Sequence, residues 1–307
     1  MIYEIVPPRT DTSRFNTELR GVEDVLKDER IAAINIPELV KRVEGKDGDL
    51  YYSPVTIPPE EYALMIKERK EVVVNIVAPR MRRAEFLDRA RKVVHGFGIP
   101  NLVIVGKERQ ADRLPGPGVL DALQIARAEG GDGVALGGIC IFDRATSRGV
   151  DYGKGDGDDD GRLSEARRVW LKARGGCDFV TSQITFDPGP SLRFLSSYQR
   201  LCLETGEKPL TVFISLTTVP SQSILSLLDN LDVVVPARVR KRLLNSEDMG
   251  RESLRIATEV FEEIAAGVEA EDLEVPLALQ IDQIGVRNDE LSLRLLDDTH
   301  PILRKVW

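Results

Sequence analysis

Two histidines, His95 and His300, are all that the 307 residues offer for imidazole chemistry. The first closes an amphipathic stretch and the second lies in the C-terminal tail, and each reads as structural. The sequence contains no Gly-x-Ser-x-Gly elbow, no His-Glu-x-x-His pair and no Gly-x-x-x-x-Gly-Lys phosphate loop. Cys140, Cys177 and Cys202 are too few and too scattered for a disulfide framework or a paired zinc site. Catalysis therefore falls to carboxylates, amides and lysines, and Glu4 is the foremost candidate. In a strand over Ile2–Val6, Ile2, Glu4 and Val6 share one face and Tyr3 and Ile5 the other, so Glu4 is a charge among apolar neighbours. Pro7 and Pro8 end the strand at once, which puts Glu4 near its carboxyl end. Burial there would disfavour the ionised form and raise the carboxyl pKa, as a general acid at neutral pH requires. The competing reading is a charge on an exposed first strand.

Gln183 closes the apolar run of Phe179–Asp187. A buried amide needs partners for both its donor and its acceptor, and a pterin ring presents both, although an amide at a strand end is as readily structural. Lys107 and Lys172 are ambiguous between ligand contacts and ordinary surface lysines. Residues 149–161 hold so many glycines and aspartates that only a solvated loop suits them. Asp156, Asp158, Asp160 and Gly161 match the opening of a calcium loop, but its twelfth position is Arg167, and Glu165 falls two residues early. No metal is expected.

The elements that must position these groups are short β-branched runs alternating with helix-like stretches. The runs are Ile2–Val6, Ile31–Ile36, Val72–Val77, Leu102–Val105, Gly133–Ile141, Phe179–Ile184, Leu210–Ile214 and Leu277–Ile281. Several are continuously apolar, as parallel strands covered on both sides should be. Helical spacing marks Glu60–Lys70, Ala84–His95, Val119–Ala128, Leu163–Arg174 and Arg251–Ala266, the last with charges opposite its apolar stripe. Eight strands alternating with helices, and no Gly-x-Gly-x-x-Gly turn after any of them, predict an α/β fold: a single (β/α)8 TIM barrel over residues 1–307. The loop 149–161 would then follow strand five on the carboxyl rim. A net charge of −8 argues against nucleic acid or an anionic membrane as partner. No stretch is apolar for long enough to span a bilayer, and MIYEIVPPRT is not a secretory signal, so a cytoplasmic protein is expected.

Taken together, the segments resemble the methylenetetrahydrofolate reductase family. IYEIVPPRT resembles the family's opening strand, where Glu before two prolines is the catalytic acid, and GCDFVTSQITFD its strand-six signature, whose Gln contacts the pterin. LPGPGVLDA (114–122) is similar to the Pro-Gly-Pro turn of the branch whose reductase domains are fused to homocysteine methyltransferases. GGICIFDRA resembles that branch's Gly-Gly-x-x-Ile-x-Glu-Arg-His motif, Glu165, Arg168 and Lys172 its E-x-x-R-x-x-x-K helix, and VPLALQIDQIGVRNDE its last strand. The resemblance implies a barrel that reduces 5,10-methylenetetrahydrofolate to 5-methyltetrahydrofolate. NAD(P)H supplies the hydride, usually through bound FAD, with Glu4 as proton donor and Gln183 as pterin anchor. It also implies a folate or related pterin one-carbon carrier as partner, and chains that often form homo-oligomers.

Around the flavin this chain departs from the pattern. The family's Arg-Gly-Asp after strand four is Val105-Gly106-Lys107, a frequent His at the end of strand three is Asn75, and the His of Glu-Arg-His is Ala145. Asn35 stands where the family often has a cofactor-contacting Thr. Arg144, Arg168 and Lys172 are retained as phosphate or ribityl contacts. Some relatives pass hydride from NADH to the folate without flavin and share the Val-Gly start. Direct transfer is thus one alternative, and a catalytically idle folate-binding partner subunit another.

Overall fold

The computed structural model describes residues 1–9, 22–44, 50–107, 114–143, 163–284 and 289–305. Among these residues eight strands hydrogen-bond in the cyclic order β1 (Ile2–Glu4), β10 (Leu277–Asp282), β9 (Thr211–Leu216), β8 (Phe179–Ser182), β7 (Ala135–Cys140), β6 (Asn101–Val105), β5 (Glu71–Val77) and β2 (Ala33–Ile36). The ring closes into a parallel barrel with helices between strands, the (β/α)8 fold that the alternation predicts. Outside the ring, β3 (Val40–Glu44) and β4 (Leu50–Pro54) pair antiparallel. The eight apolar runs do not include this hairpin, because VKRVE and LYYSP are too polar to stand out as strands.

By packing, the chain divides into two compact units: Ile2–Ile139 with Lys172–Phe179, and Cys140–Leu171 with the chain from Val180 onward. In the first, the register couples Glu4 to Asn35, Asn35 to Val73, Asn75 to Val103, and Val103 to Gly137. Partners on neighbouring parallel strands point to the same side. A Cβ on Gly137 would meet the Phe179 ring at 2.5 Å and Val103 at 2.9 Å, so this is the face where side chains crowd the barrel interior. A Cβ on Gly138 would instead meet Lys172 and Cys177, beneath the following helix. Tyr3, Ile34, Val72, Val74, Ile76, Leu102 and Leu136 share this helix-side face, and all are buried. In the second unit Gln280 pairs with Ser215 and Ile281 with Leu216. Val212, Ile214, Leu216, Leu279 and Ile281 form the buried apolar side, which leaves Ser215, Gln280 and Asp282 turned inward.

Helix boundaries differ from the sequence reading where capping or local strain decides them. The helix Met249–Ala270 starts two residues before the expected Arg251 because Asp248 caps it, accepting from Arg251 N at 2.9 Å. Past Ala63 the expected helix over Glu60–Lys70 breaks. Bonds from Met65 N to Tyr62 O (3.1 Å) and Ile66 N to Ala63 O (3.0 Å) tighten the chain into turns after Pro59–Ala63. The stretch Ala84–His95 is helical over Arg83–Arg91 and then widens, with Phe97 N bonded to Lys92 O at 2.9 Å. Among the described residues no helix is long and apolar enough to cross a membrane.

An ion network braces the carboxyl ends of β2 and β5. Glu38, two residues past β2, accepts from Val77 N at 2.7 Å, from Arg89 at 2.7 Å and from Arg80 at 3.0 Å. Arg89 also holds Glu60 through two bonds, of 2.9 and 2.7 Å. The backbone that carries Asn35 and Asn75 is thereby fixed from outside the barrel wall.

Candidate active site

Glu4 ends β1 on the inward face, half-buried, and Asn35 Nδ2 donates to its Oε2 at 2.8 Å. Parallel pairing brings the two together: Asn35 is Glu4's register partner, so its short amide cannot avoid the carboxylate. Asn35 is 2 % exposed, and its Oδ1 is buried without a hydrogen-bond partner. Asn75, on the same inward face of β5, is in the same position, with its Oδ1 buried and unsatisfied. Two inward amides thus present carbonyl oxygens that only a ligand or water can satisfy.

Gln183 follows β8 and is half-buried. Its Oε1 accepts from Ile184 N at 3.0 Å, which leaves the amide's N–H donors as what it best offers a ligand. It lines a small open recess with Ile141, Phe142, Asp143, Ile184, Asp232 and Val234. Burial pushes the Asp143 carboxyl up to about 6; the nearby Asp187 charge adds to the rise and Arg193 opposes it. Asp143 stands at the Glu of the motif that GGICIFDRA resembles, and the sequence reading passed over it for the neighbouring Arg144.

The inward face of β9 and β10 holds a buried carboxyl that the sequence reading also missed. Gln280 Nε2 donates to Asp282 Oδ1 at 2.6 Å, and both side chains are buried. Burial pushes the Asp282 carboxyl up to about 7, against the hydrogen bond from Gln280. The signal was legible: Leu277-Ala278-Leu279-Gln280-Ile281-Asp282 alternates apolar residues with two inward polar ones.

The residues expected around a flavin are scattered. A Cβ at Gly106 would come within 2.9 Å of Val119, which is reason enough for a glycine there, and Lys107 is exposed. Lys172 is buried, its stem lies against Gly138 on the helix side of β7, and its ammonium donates to the Ile139 carbonyl. It braces helix against strand, where the resemblance implies a phosphate contact. Arg168 Nε donates to the Leu163 carbonyl at 3.2 Å. Arg144, Ala145 and the Asp-rich segment 149–161 lie outside the described residues. Lys172 Nζ and Arg168 Nε are thus each engaged by a backbone carbonyl, which leaves the remaining guanidinium N–H groups of Arg168 as donors.

The remaining candidates are structural. His95 is exposed and bonds Glu129 O at 3.0 Å, at the end of the helix Val119–Gly130. His300 belongs to the helix Asp289–Leu303 rather than to a loose tail. Arg167 stacks over Trp170, 4.0 Å from the ring centroid, and Glu165 accepts from Ile141 N at 3.1 Å. Among the described residues no group of His, Cys, Asp and Glu could hold a metal ion. Cys140, Cys177 and Cys202 are buried, and burial pushes the Cys177 thiol up to about 12.

The barrel has a solved counterpart. An uncharacterized protein from Clostridium thermocellum, described as binding two copies of 5-methyl-5,6,7,8-tetrahydrofolic acid, aligns over 98 % of this chain and 95 % of its own, with 20 % identity and a TM-score of 0.77. A chitinase from Bacteroides thetaiotaomicron aligns over 98 % of this chain and 96 % of its own, at 13 % identity and a TM-score of 0.49, too slight a likeness to carry an argument. No family model matches the chain, and no curated protein matches it in sequence.

Proposed function

We propose that this chain is a folate-binding barrel that reduces 5,10-methylenetetrahydrofolate to 5-methyltetrahydrofolate with NAD(P)H. The observation that carries the reading is the Glu4 carboxyl, inward at the carboxyl end of β1 and held by the Asn35 amide at 2.8 Å. That rim is where (β/α)8 enzymes build their sites. The counterpart barrel supports the substrate class, since 5-methyltetrahydrofolate is the product of this reaction.

The chemistry needs a proton and a hydride. Glu4 donates its proton to the nitrogen bridging the methylene group, and the five-membered ring opens to an iminium cation. The reduced nicotinamide then transfers hydride to the methylene carbon, giving the methyl group and the oxidised dinucleotide. Glu4 is left as a carboxylate, and Asn35 Nδ2–H stabilises it. Gln183 offers its amide to the pterin.

Of the two hydride routes, direct transfer from NAD(P)H has the better support, because the family's Arg-Gly-Asp beside the flavin is Val105-Gly106-Lys107 in this chain. Orientation of nicotinamide against pterin must then do what a flavin would mediate. NADH and NADPH oxidation with and without methylenetetrahydrofolate, together with the visible spectrum of the purified protein, tests the reading. Folate-dependent oxidation by a colourless protein is expected. A yellow protein would restore FAD as the carrier, and folate binding without turnover would leave an idle partner subunit. Glu4→Gln should abolish turnover while folate still binds; normal turnover in that variant would sink the acid role.

A further inference from the structure

Gln280 and Asp282 stand two residues apart on the inward face of β10, and Ser215 on β9 is Gln280's register partner. Gln280 is 3 % exposed and Asp282 7 %. The bond from Gln280 Nε2 to Asp282 Oδ1 sets the amide's orientation, and Gln280 Oε1 is left buried with no hydrogen-bond partner. A buried carboxyl and a buried unsatisfied carbonyl are both costly, and apolar side chains of the same size would fill the barrel more cheaply. Asp282 is also the last residue of its strand, and Thr217 Oγ1 donates to its backbone carbonyl at 2.6 Å, which fixes the strand end.

The pair is rich in acceptors. Its complement is a flat heterocycle with N–H donors side by side, able to meet both oxygens of a carboxylate as a guanidinium does. The amino-pyrimidinone edge of a pterin has this pattern, a ring N–H next to an exocyclic amine. We propose that Asp282 recognises that edge of the folate, while Gln280 orients the carboxylate and adds a further acceptor. The proposal rests on the folate reading above and names the group that gives it specificity. Two N–H donors from the ligand would favour the ionised carboxylate that burial otherwise resists.

Calorimetry with 5-methyltetrahydrofolate and its 2-desamino-2-methyl analogue tests the assignment. The unaltered protein should prefer the amino-bearing compound by roughly ten- to a hundredfold, the effect of losing one hydrogen bond to a charged group. Asp282→Asn, nearly isosteric, turns an N–H toward the ligand's donors. It should lose roughly that factor for 5-methyltetrahydrofolate and little for the analogue. Equal affinity of the unaltered protein for both compounds overturns the role of Asp282 and leaves folate binding intact. Binding of neither compound overturns the folate reading and this proposal with it. If Asp282→Asn does not fold, the selectivity of the unaltered protein decides alone.

Discussion

Replacing Arg89 with methionine keeps the hydrophobic stem and removes a guanidinium bonded to two carboxylates, Glu38 at 2.7 Å and Glu60 at 2.9 and 2.7 Å. The side chains of Arg89, Glu38 and Glu60 are 12 %, 3 % and 12 % exposed, so solvent can do little to screen the loss. Burial alone would push the Glu60 carboxyl up, but the hydrogen bonds and charge of Arg89 outweigh it and hold the carboxyl below its ordinary range. Breaking a buried pair by deleting one partner costs about 3–5 kcal/mol. Arg80 remains 3.0 Å from Glu38 and still compensates that carboxylate, so the lower end, about 3 kcal/mol, is expected. Urea unfolding at pH 7, followed by circular dichroism, reads the difference. A carboxyl whose folded pKa is depressed contributes stability above its unfolded pKa and loses it as pH falls through the folded value. Wild type therefore loses this contribution in acid, and its advantage over Arg89→Met should shrink below about pH 4. Adding Glu60→Gln to the variant should recover much of the loss at pH 7. Equal stability at pH 7, or a difference that persists unchanged in acid, would refute the ionic account.

Three other perturbations separate roles that the structure assigns. Asn35→Leu removes the donor to Glu4 at similar volume. Loss of one hydrogen bond to a charged group, about 1.5–3 kcal/mol, should lower kcat roughly ten- to a hundredfold with the KM for NAD(P)H unchanged; an unaltered kcat would end its positioning role. Gly116→Ala would put a Cβ 2.3 Å from both the Ala78 and Met81 carbonyls, and backbone cannot yield as a side chain does. A loss of at least about 1–3 kcal/mol in thermal or urea unfolding is expected. Lys172→Met keeps the stem over Gly138 and gives up the bond to Ile139, so stability should fall by about 1 kcal/mol while dinucleotide affinity holds. A selective drop in dinucleotide affinity would return Lys172 to the phosphate role.

The barrel was legible because its signal is repetitive: eight apolar runs, each too short for a helix, with amphipathic stretches between. The antiparallel pair Val40–Glu44 and Leu50–Pro54 was hidden by Lys41, Arg42 and Ser53, which mask any alternation. Glu4 was legible for a physical reason, a lone charge in an apolar strand stopped by two prolines. Asn35 and Asn75 were reached only through resemblance, although as polar residues inside AINI and EVVVNIV they obey the same rule. Spacing along a helix does not say which way the long stem of Lys172 turns. The glycines of Gly-Gly-Ile-Cys explain the outcome: a Cβ on Gly138 would stand 3.1 Å from Lys172 Cδ, so its absence lets the lysine stem lie on the strand. The glycine of the Pro-Gly-Pro turn has a similar cause in two backbone carbonyls, a close approach no sequence pattern announces.

Three of the unsatisfied atoms on the inward faces share one chemistry, and a fourth is the Ser215 hydroxyl. Asn35 Oδ1, Asn75 Oδ1 and Gln280 Oε1 are all amide oxygens, buried and without partners. Leaving a buried acceptor unmet costs about 1–3 kcal/mol, and each position could have held a leucine or valine, as the helix-side faces of the same strands do. A barrel interior built for stability alone would be apolar throughout. Asn35 Nδ2 is committed to Glu4 and Gln280 Nε2 to Asp282, so each of these amides leaves its oxygen as an acceptor, the complement of a ligand's N–H donor. Fused apolar rings without donors would leave the same oxygens unmet. The selectivity of this protein should therefore follow the donors on a ligand's edge more than the area of its rings.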